Sequence, residues 1–461
     1  MERLSGLDAA LLYSESSRIP LNICSVAELD TSTVPGGYSF ERFRDDLGSR
    51  MQALPELRAK LADSQLNLDH PVWVEERNFD LSRHLKRIGL PVPGGRKELV
   101  DLCAHIAAVP LDRSKPLWEM WVMEGVGGTV PEGGGRLALM LKVHHAVVDG
   151  VSAANLLNTL CDLDFDAALP EPVDGPGDAA PWAIAADGLM RFVTRPWQLT
   201  KVIPATADLV VKTVDRAVNG KAMAAPFSAP ATRFNTELTS ERSIALAQLD
   251  LSDVKKVKNR FGVKVNDVVM ALCSGALRGF LADREELPDK PLIAAVPSSV
   301  QGLTDRPGRN QLSGMFCNLH TDIDDPVQRL LTIAESNTCA KEHSGSLGPA
   351  LLVDLAAMIS RGMFGWMLGL MSRTPLTRAH IHNVIISNVA GPTRTLYSCG
   401  AEVTALFPLG PIFHGSGLNV TVMSLADTLN VGLISCPQLV DDLWGLADRF
   451  EAVLDELLSR C

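Results

Sequence analysis

The chain has no excess of positive charge. Its 461 residues carry 43 Lys and Arg against 54 Asp and Glu, a formal net charge of -11 at pH 7. That balance excludes sequence-independent nucleic-acid binding, which runs on clustered cations. Anionic small molecules stay admissible, because a local basic groove can sit on an acidic protein. The chain also lacks any C-x-x-C pair; its nine cysteines are scattered and include Cys461. An odd, dispersed set argues against a disulfide framework and for reduced thiols in a cytosolic protein, each a small core residue or an inert surface thiol. No run of 18 or more uninterrupted apolar residues occurs, so no spanning helix is expected. The nearest approach, Met363 to Met371, is too short to span. No basic n-region leads into an apolar h-region, so no secretory signal is expected either. Any membrane contact should therefore be peripheral. What is present is ordinary for a folded protein: 46% hydrophobic and 21% charged residues. The length suffices for two cores, since single cores rarely grow past about 250–300 residues.

Hydrophobic periodicity divides the chain. Up to about residue 165, helical and strand-like patterns alternate. Ser39 to Leu54 reads as a helix with Ser39 as N-cap and Pro55 as stop, Gln65 to Glu75 as extended, and Arg96 to Ala108 as helical. Trp118 to Val126 and Arg136 to Val143 read as strands around the turn Gly133-Gly134-Gly135. Phe165 to Pro181 has linker composition. Trp182 to Val218 is helical, with Trp182, Phe192 and Trp197 among Lys201, Lys212 and Arg216. Such helices bury one face on a domain or lie on a membrane. A second α/β pattern begins near Glu237. It holds strands at Ile244 to Leu249, Pro291 to Pro297 and Val384 to Val389, and helices at Ser252 to Phe261, Val265 to Leu281, with Asn266 as N-cap, and Asp325 to Cys339. Gly417 to Ser424 and Leu429 to Ser435 form a hairpin before a final helix, Leu439 to Leu458.

Chemistry concentrates in His144-His145-Ala146-Val147-Val148-Asp149-Gly150, where the second strand leaves its sheet. A neutral imidazole takes a proton from a hydroxyl and returns it to a leaving group, worth about 10²–10⁴ in rate. Asp149, four residues after His145, braces the turn or pairs with an arginine. A metal site from His144, His145 and Asp149 is disfavoured: adjacent histidines point apart, and no further His or Cys cluster supports them.

HHxxxDG resembles the hallmark of the CoA-dependent acyltransferase superfamily. Further motifs in order narrow the resemblance to the bacterial wax ester synthase/diacylglycerol acyltransferase (WS/DGAT) family, with the actinobacterial triacylglycerol synthases. They are Leu4-Ser5-Gly6-Leu7-Asp8-Ala9, Pro116-Leu117-Trp118 within Pro110 to Glu119, Asn266-Asp267, Ser387-Asn388-Val389-Ala390-Gly391-Pro392 and Pro408-Leu409-Gly410. The chain departs from the pattern at Ala390, often proline, and at Ser298 and Gln301, where Val and Arg are expected.

The resemblance implies an α/β (α+β) fold of two chloramphenicol-acetyltransferase-like domains with mixed sheets, joined by crossover helices, with an active-site tunnel at their interface. The corresponding divisions are residues 1–180, 181–235 and 236–461. It implies acyl-CoA as co-substrate and diacylglycerol as acceptor, with a long-chain alcohol, giving a wax ester, as second choice. No metal and no resident cofactor are implied. His145 is the expected base, His144 and Asp149 hold its loop, and Gly150 lets the tunnel pass near the backbone. Arg58 is a guess for the partner of Asp149. Pro116 and Trp118 either pack the core or touch substrate. Asn266 and Asp267 cap a helix or line the tunnel. Ser387 and Asn388 hydrogen-bond the reacting groups or hold the domains together. Lys255, Lys256, Lys258, Arg260 and Lys264 form the densest basic cluster, either a CoA-phosphate contact or a solvated helix face. The expected place is the cytoplasm, at the surface of the inner membrane or of a lipid inclusion.

Overall fold

A computed structural model describes residues 1–129, 135–147, 156–157, 159–164, 169–194, 197, 216, 223–225, 227–299, 312–346 and 380–461. Among these, two six-stranded sheets carry the architecture. The strands are β1 (Glu2–Arg3), β2 (Asn22–Asp30), β3 (Ala59–Ala62), β4 (Val72–Glu75), β5 (Leu85–Gly89), β6 (Trp118–Val126), β7 (Arg136–His144) and β8 (Ser243–Asp250). They continue with β9 (Ile293–Ser299), β10 (Leu312–Asn318), β11 (Val384–Val389), β12 (Leu396–Ser398), β13 (Ala401–Leu409), β14 (Leu418–Leu425) and β15 (Thr428–Ser435). The first sheet has the order β12-β13-β2-β7-β6-β5 and the second β10-β9-β11-β14-β15-β8; a small sheet, β1-β4-β3, stands beside them. Parallel pairs (β5 with β6, β11 with β9 and β14) occur beside antiparallel ones, so both large sheets are mixed.

The helices are α1 (Gly6–Ser14), α2 (Phe40–Arg50), α3 (Pro55–Arg58), α4 (Arg96–Ala107), α5 (Leu251–Phe261), α6 (Val265–Ala282), α7 (Pro326–Ser346) and α8 (Leu443–Leu458). Their starts follow local chemistry. Ser5 and Asp8 form a reciprocal capping box on α1, which explains the Leu4 to Ala9 signature as a helix-starting device. Ser39 caps α2 as expected, its hydroxyl accepting from the Arg42 amide. Pro55 does stop that run, and it also opens α3 at the first helical position.

Alternation along β7 sends Ala138 and Met140 to one core and Leu137, Leu139 and Val143 to another. The first of these cores is shared: it contains α4, strands β8, β14 and β15, and Phe407 and Leu409 of β13. The second lies under α1 and α2.

The first sheet draws strands from both sides of the expected division at residue 236. Residues 396–409 lie in the range assigned to the second domain, yet β12 and β13 belong to the first sheet, where β13 pairs with β2 from Glu402–Asp30 to Leu409–Cys24. The physical reason is an open strand edge: β2 has unsatisfied amides on one side, and β13 covers them. Two further ranges shift. Only Val72–Glu75 of the stretch from Gln65 is strand, and the last helix begins at Leu443, capped by Asp442, rather than at Leu439. Residues 181–194 are helical. Most of the remaining crossover segment to Val218, and Met363 to Met371, lie outside the described residues.

Candidate active site

β7 is an interior strand of the first sheet, and both histidines sit where it ends. His144 pairs with Asn22 of β2. Its amide donates to the Leu117 carbonyl (3.0 Å), and the His145 amide donates to the Leu21 carbonyl (2.8 Å). The Val147 amide returns to the His144 carbonyl at 2.9 Å, closing a turn. The two side chains diverge: His144 is fully buried, whereas His145 is half-buried. His144 Nδ1 accepts from the Ala146 amide at 3.0 Å. That nitrogen carries no proton, so the neutral ring is protonated at Nε2. Nε2 faces Oε1 of Glu15 at 3.5 Å. Burial, with the nearby Arg113 and His145, pushes the His144 pKa down to about 3. His144 is therefore a neutral, structural ring. His145 is the partly exposed member of the pair.

Three charged residues behind the pair escaped the sequence reading. Glu15 is the C-cap residue of α1, and its side chain is 4% exposed. Arg113 reaches it with Nη2 at 2.8 Å and Nε at 3.2 Å. Lys142, buried on β7, donates Nζ to the Ile106 carbonyl at 3.0 Å, in the last turn of α4, and lies 3.8 Å from Glu119. Burial lowers its pKa, while the C-terminal end of a helix favours the cation. A lysine inside an otherwise apolar strand pattern was the available signal.

The other motifs separate into contacts and supports. Asn388 at the end of β11 donates to Asn266 Oδ1 (3.2 Å), so the Asn266-Asp267 and Ser387-to-Pro392 motifs meet across the second domain. The cap is not Asn266: helix α6 starts at Val265 with Lys264 as N-cap, and Asp267 is the capping residue. Asp267 is buried, its Oδ2 accepting from the Lys264 amide (2.9 Å) and its Oδ1 from Asn337 of α7 (2.9 Å). With both oxygens engaged, Asp267 fastens the start of α6 to α7. Ser387 is half-buried beside Asn388, opposite Thr421 of β14. Gly391 follows because a Cβ there would stand 1.7 Å from the Ser424 carbonyl oxygen. Val389 packs on the cluster that contains Ala146 and Val147, which brings the end of β11 and the histidine turn to one apolar mass.

Of the two roles open to Pro116 and Trp118, the structure shows core packing. Trp118 is 1% exposed, donates Nε1 to the Leu57 carbonyl at 2.7 Å and stacks on His84 at 4.8 Å. Pro116 is buried directly before Leu117, whose carbonyl holds His144. Arg58 binds Glu75 (2.7 Å) and the Val173 carbonyl, so its side chain is engaged elsewhere. Asp149 and Gly150 lie outside the described residues, as does Gln301; Ser298 lies in β9. Lys255, Lys256 and Arg260 are on the exposed side of α5, Lys256 pairing with Asp253, and Lys264 is exposed beyond it. Among the described residues no group of three His, Cys, Asp or Glu is placed to hold a metal.

Two mixed sheets, a strand exchanged between them and a histidine pair at the inner end of a central strand define a two-domain acyltransferase fold. Residues 4–269 match the wax ester synthase/diacylglycerol acyltransferase catalytic domain, and residues 309–458 match the WS/DGAT C-terminal domain. The chain belongs to the WS/DGAT family. Two Mycobacterium tuberculosis (strain H37Rv) proteins named "Putative diacyglycerol O-acyltransferase" are similar along nearly their whole length. Rv1760 is 53% identical over 459 residues, covering 100% of this chain and 90% of that protein; Rv0221 is 34% identical, covering 96% and 92%. Among solved structures, the wax ester synthase/diacylglycerol acyltransferase from Marinobacter aquaeolei VT8 superposes with a TM-score of 0.71 at 28% identity, covering 99% of both chains. The first condensation domain of the CDA synthetase shares the fold, with a TM-score of 0.59 at 14% identity, covering 99% of this chain and 96% of that one.

Two outcomes follow from this geometry. His144 has a pKa of about 3 in the fold against 6.5 ordinarily. The unfolded chain therefore binds more protons between those values, and stability falls as pH drops from about 6.5 towards 3. Denaturant midpoints measured across that range should slope downward with acid, and His144→Gln should flatten the slope; an unchanged slope contradicts the assignment. Trp118→Ala should cost about 3–5 kcal/mol by equilibrium unfolding. The KM values of the folded fraction should stay unchanged, and a selective rise in KM would restore Trp118 as a substrate contact.

Proposed function

We propose that this chain transfers a long-chain acyl group from acyl-CoA to the free hydroxyl of diacylglycerol, giving triacylglycerol and CoA. The observation that carries the reading is the 53% identity, along the whole chain, to a protein whose name specifies diacylglycerol as acceptor. The site chemistry agrees with it. His145 takes the hydroxyl proton, and the hydroxyl oxygen attacks the thioester carbonyl. The tetrahedral intermediate then collapses with cleavage of the C–S bond, and the CoA sulfur receives the proton from His145. No acyl-enzyme is required, because holding both substrates together supplies the proximity a covalent step would otherwise replace. Both substrates enter a tunnel at the domain interface, from opposite sides. Asp149 braces the loop by an ion pair, and Gly150 lets the tunnel pass close to the backbone. Asn388, oriented by Asn266, and Ser387 hydrogen-bond the reacting groups.

A fatty alcohol is the second acceptor, favoured by the similarity to the Marinobacter enzyme, whose name gives both activities. A carrier-dependent condensation reaction has only the fold likeness to support it. Attachment to the cytoplasmic face of a membrane or to a lipid inclusion is part of the same reading. Its motive is the helical stretch 181–194, where Trp182 is 76%, Met190 65% and Val193 60% exposed.

Radiolabelled palmitoyl-CoA offered with diacylglycerol and hexadecanol in competition, and no carrier protein, should yield mainly triacylglycerol. Wax ester as the main product would reverse the acceptor order, and no product from free acyl-CoA would remove the reading. His145→Ala should lower kcat by about 10²–10⁴ with the fold intact by circular dichroism; undiminished turnover would falsify the base assignment. The protein should float with vesicles containing diacylglycerol, and Trp182→Ala with Met190→Ala should weaken that. Failure of the unsubstituted protein to float sinks the attachment.

A further inference from the structure

We propose that Glu15, clamped by Arg113, is a positioning residue that fixes the proton and orientation of His144 and, through one short turn, the placement of His145. The inference rests on the reading of His145 as the base.

The Glu15 carboxylate is shared among three partners. Oε2 accepts from Arg113 Nη2 and Nε, while Oε1 accepts from the Leu21 amide at 3.2 Å and faces His144 Nε2 at 3.5 Å. Arg113 Nη2 also donates to the Leu12 carbonyl at 2.7 Å, in the last turn of α1, so the clamp is anchored to the helix that carries Glu15. Leu21 is the hinge of the arrangement. Its amide is held by Glu15, and its carbonyl holds the His145 amide. One carboxylate thereby reaches the ring of the first histidine and the backbone of the second.

The proton position on His144 matters for the turn. With Nδ1 bare, the ring accepts from the Ala146 amide. A tautomer carrying the proton on Nδ1 would set two donors against each other there, and the turn through His145 would open. A carboxylate at Nε2 stabilises the other tautomer, as an orienting acid does for a catalytic imidazole in hydrolytic triads. The charged and titratable groups around His144 are Glu15 from α1, Arg113 from the segment before β6, Glu119 on β6, Lys142 on β7 and His145 itself. Lys142 and Glu119 face each other and the α4 carbonyl end, which leaves Glu15 as the acid at the ring among the described residues.

The turn from Glu15 to Leu21 is also tied to the other domain. Ser16 and Ile19 exchange amide-to-carbonyl bonds at 3.0 and 3.1 Å, and Arg242 Nη2, just before β8, donates to the Arg18 carbonyl. The strut behind the histidines is thus braced on the second sheet.

The test uses the full chain with palmitoyl-CoA and diacylglycerol. Glu15→Gln keeps the shape and removes the charge; kcat should fall at least about tenfold, with KM for palmitoyl-CoA unchanged within about twofold. The ¹⁵N signals of His144 should show the proton moving from Nε2 to Nδ1. Arg113→Met, at a residue with a 43% exposed side chain, leaves Glu15 unneutralised beside the ring. His144 then protonates more readily, and the acid limb of kcat moves to higher pH. Glu15→Gln leaves the cation in place and produces no such upward move. A merely structural role would lower the folded fraction without separating the two variants in this way. Full kcat in Glu15→Gln, or a His144 that keeps its Nε2 proton there, overturns the inference. If Glu15→Gln does not fold, an unmoved acid limb in Arg113→Met overturns it. His145→Ala, run alongside, separates the two readings: an active His145→Ala removes the base itself, whereas an inactive one beside a fully active Glu15→Gln removes only the positioning role.

Discussion

The arrangement depends on two backbone hydrogen bonds at the end of one strand. The His144 amide is held by Leu117 and the His145 amide by Leu21, on opposite sides of β7. An interior strand normally loses its ladder where it leaves the sheet; here the ladder continues one residue past the strand, to His145. The consequence is a histidine pair whose backbone has little freedom. A base displaced by about 1 Å forfeits much of its proximity advantage. The buried Pro116-Leu117-Trp118 segment belongs to this fastening. Trp118 anchors β6 through the Leu57 carbonyl, and Leu117 presents its own carbonyl to His144. Of the two roles the motif admits, packing is the one these contacts show.

The second constraint is the strand that changes sheets. β13 follows the end of β11 by only a short connection and β12, yet it pairs with β2, the neighbour of β7. The backbone approaches are close on both sides: a Cβ at Gly432 would lie 2.1 Å from the Pro408 carbonyl, and one at Gly410 would lie 2.5 Å from Asn419 Nδ2. The first contact requires glycine at Gly432 and the second leaves a side chain at 410 no room beside Asn419, and they account for the Pro408-Leu409-Gly410 element as a place where two layers touch. The shared core around Phe407 and Leu409 makes the two sheets one packing unit. The first sheet is incomplete without the second half of the chain.

The sequence was legible where periodicity and capping act locally. β6 and β11 run over the residues their alternation indicates, and Ser39 caps α2 as its side chain suggests. Legibility failed where partners are remote. Nothing local shows that Ala401–Leu409 would leave its neighbours for β2, since a strand's register with a distant edge is a tertiary decision. Asn266 reads as an N-cap because Asn favours that position, but the capping bond is made one residue later by Asp267. Its own side chain is thereby released to accept from Asn388. Within the site, the order of the motifs brought out both histidines, Asn266 and Asn388. Glu15 and Arg113 stayed hidden because 98 residues separate them, and neither spacing nor hydropathy reports an ion pair closed by the fold.

Two adjacent histidines pose an electrostatic problem that this geometry resolves. If both rings took protons, like charges a few ångströms apart would penalise the charged state that a general base must reach during turnover. Full burial keeps the first ring neutral well below the range where imidazoles ordinarily titrate, and the His145 charge itself contributes to that depression. The Glu15 carboxylate stands 3.5 Å from the ring, while Arg113, paired with that carboxylate, itself disfavours a second proton on His144. The motif therefore divides the properties of one residue type between two copies. One histidine is fixed by burial and hydrogen bonds, and under the proposed mechanism the proton is carried by the other.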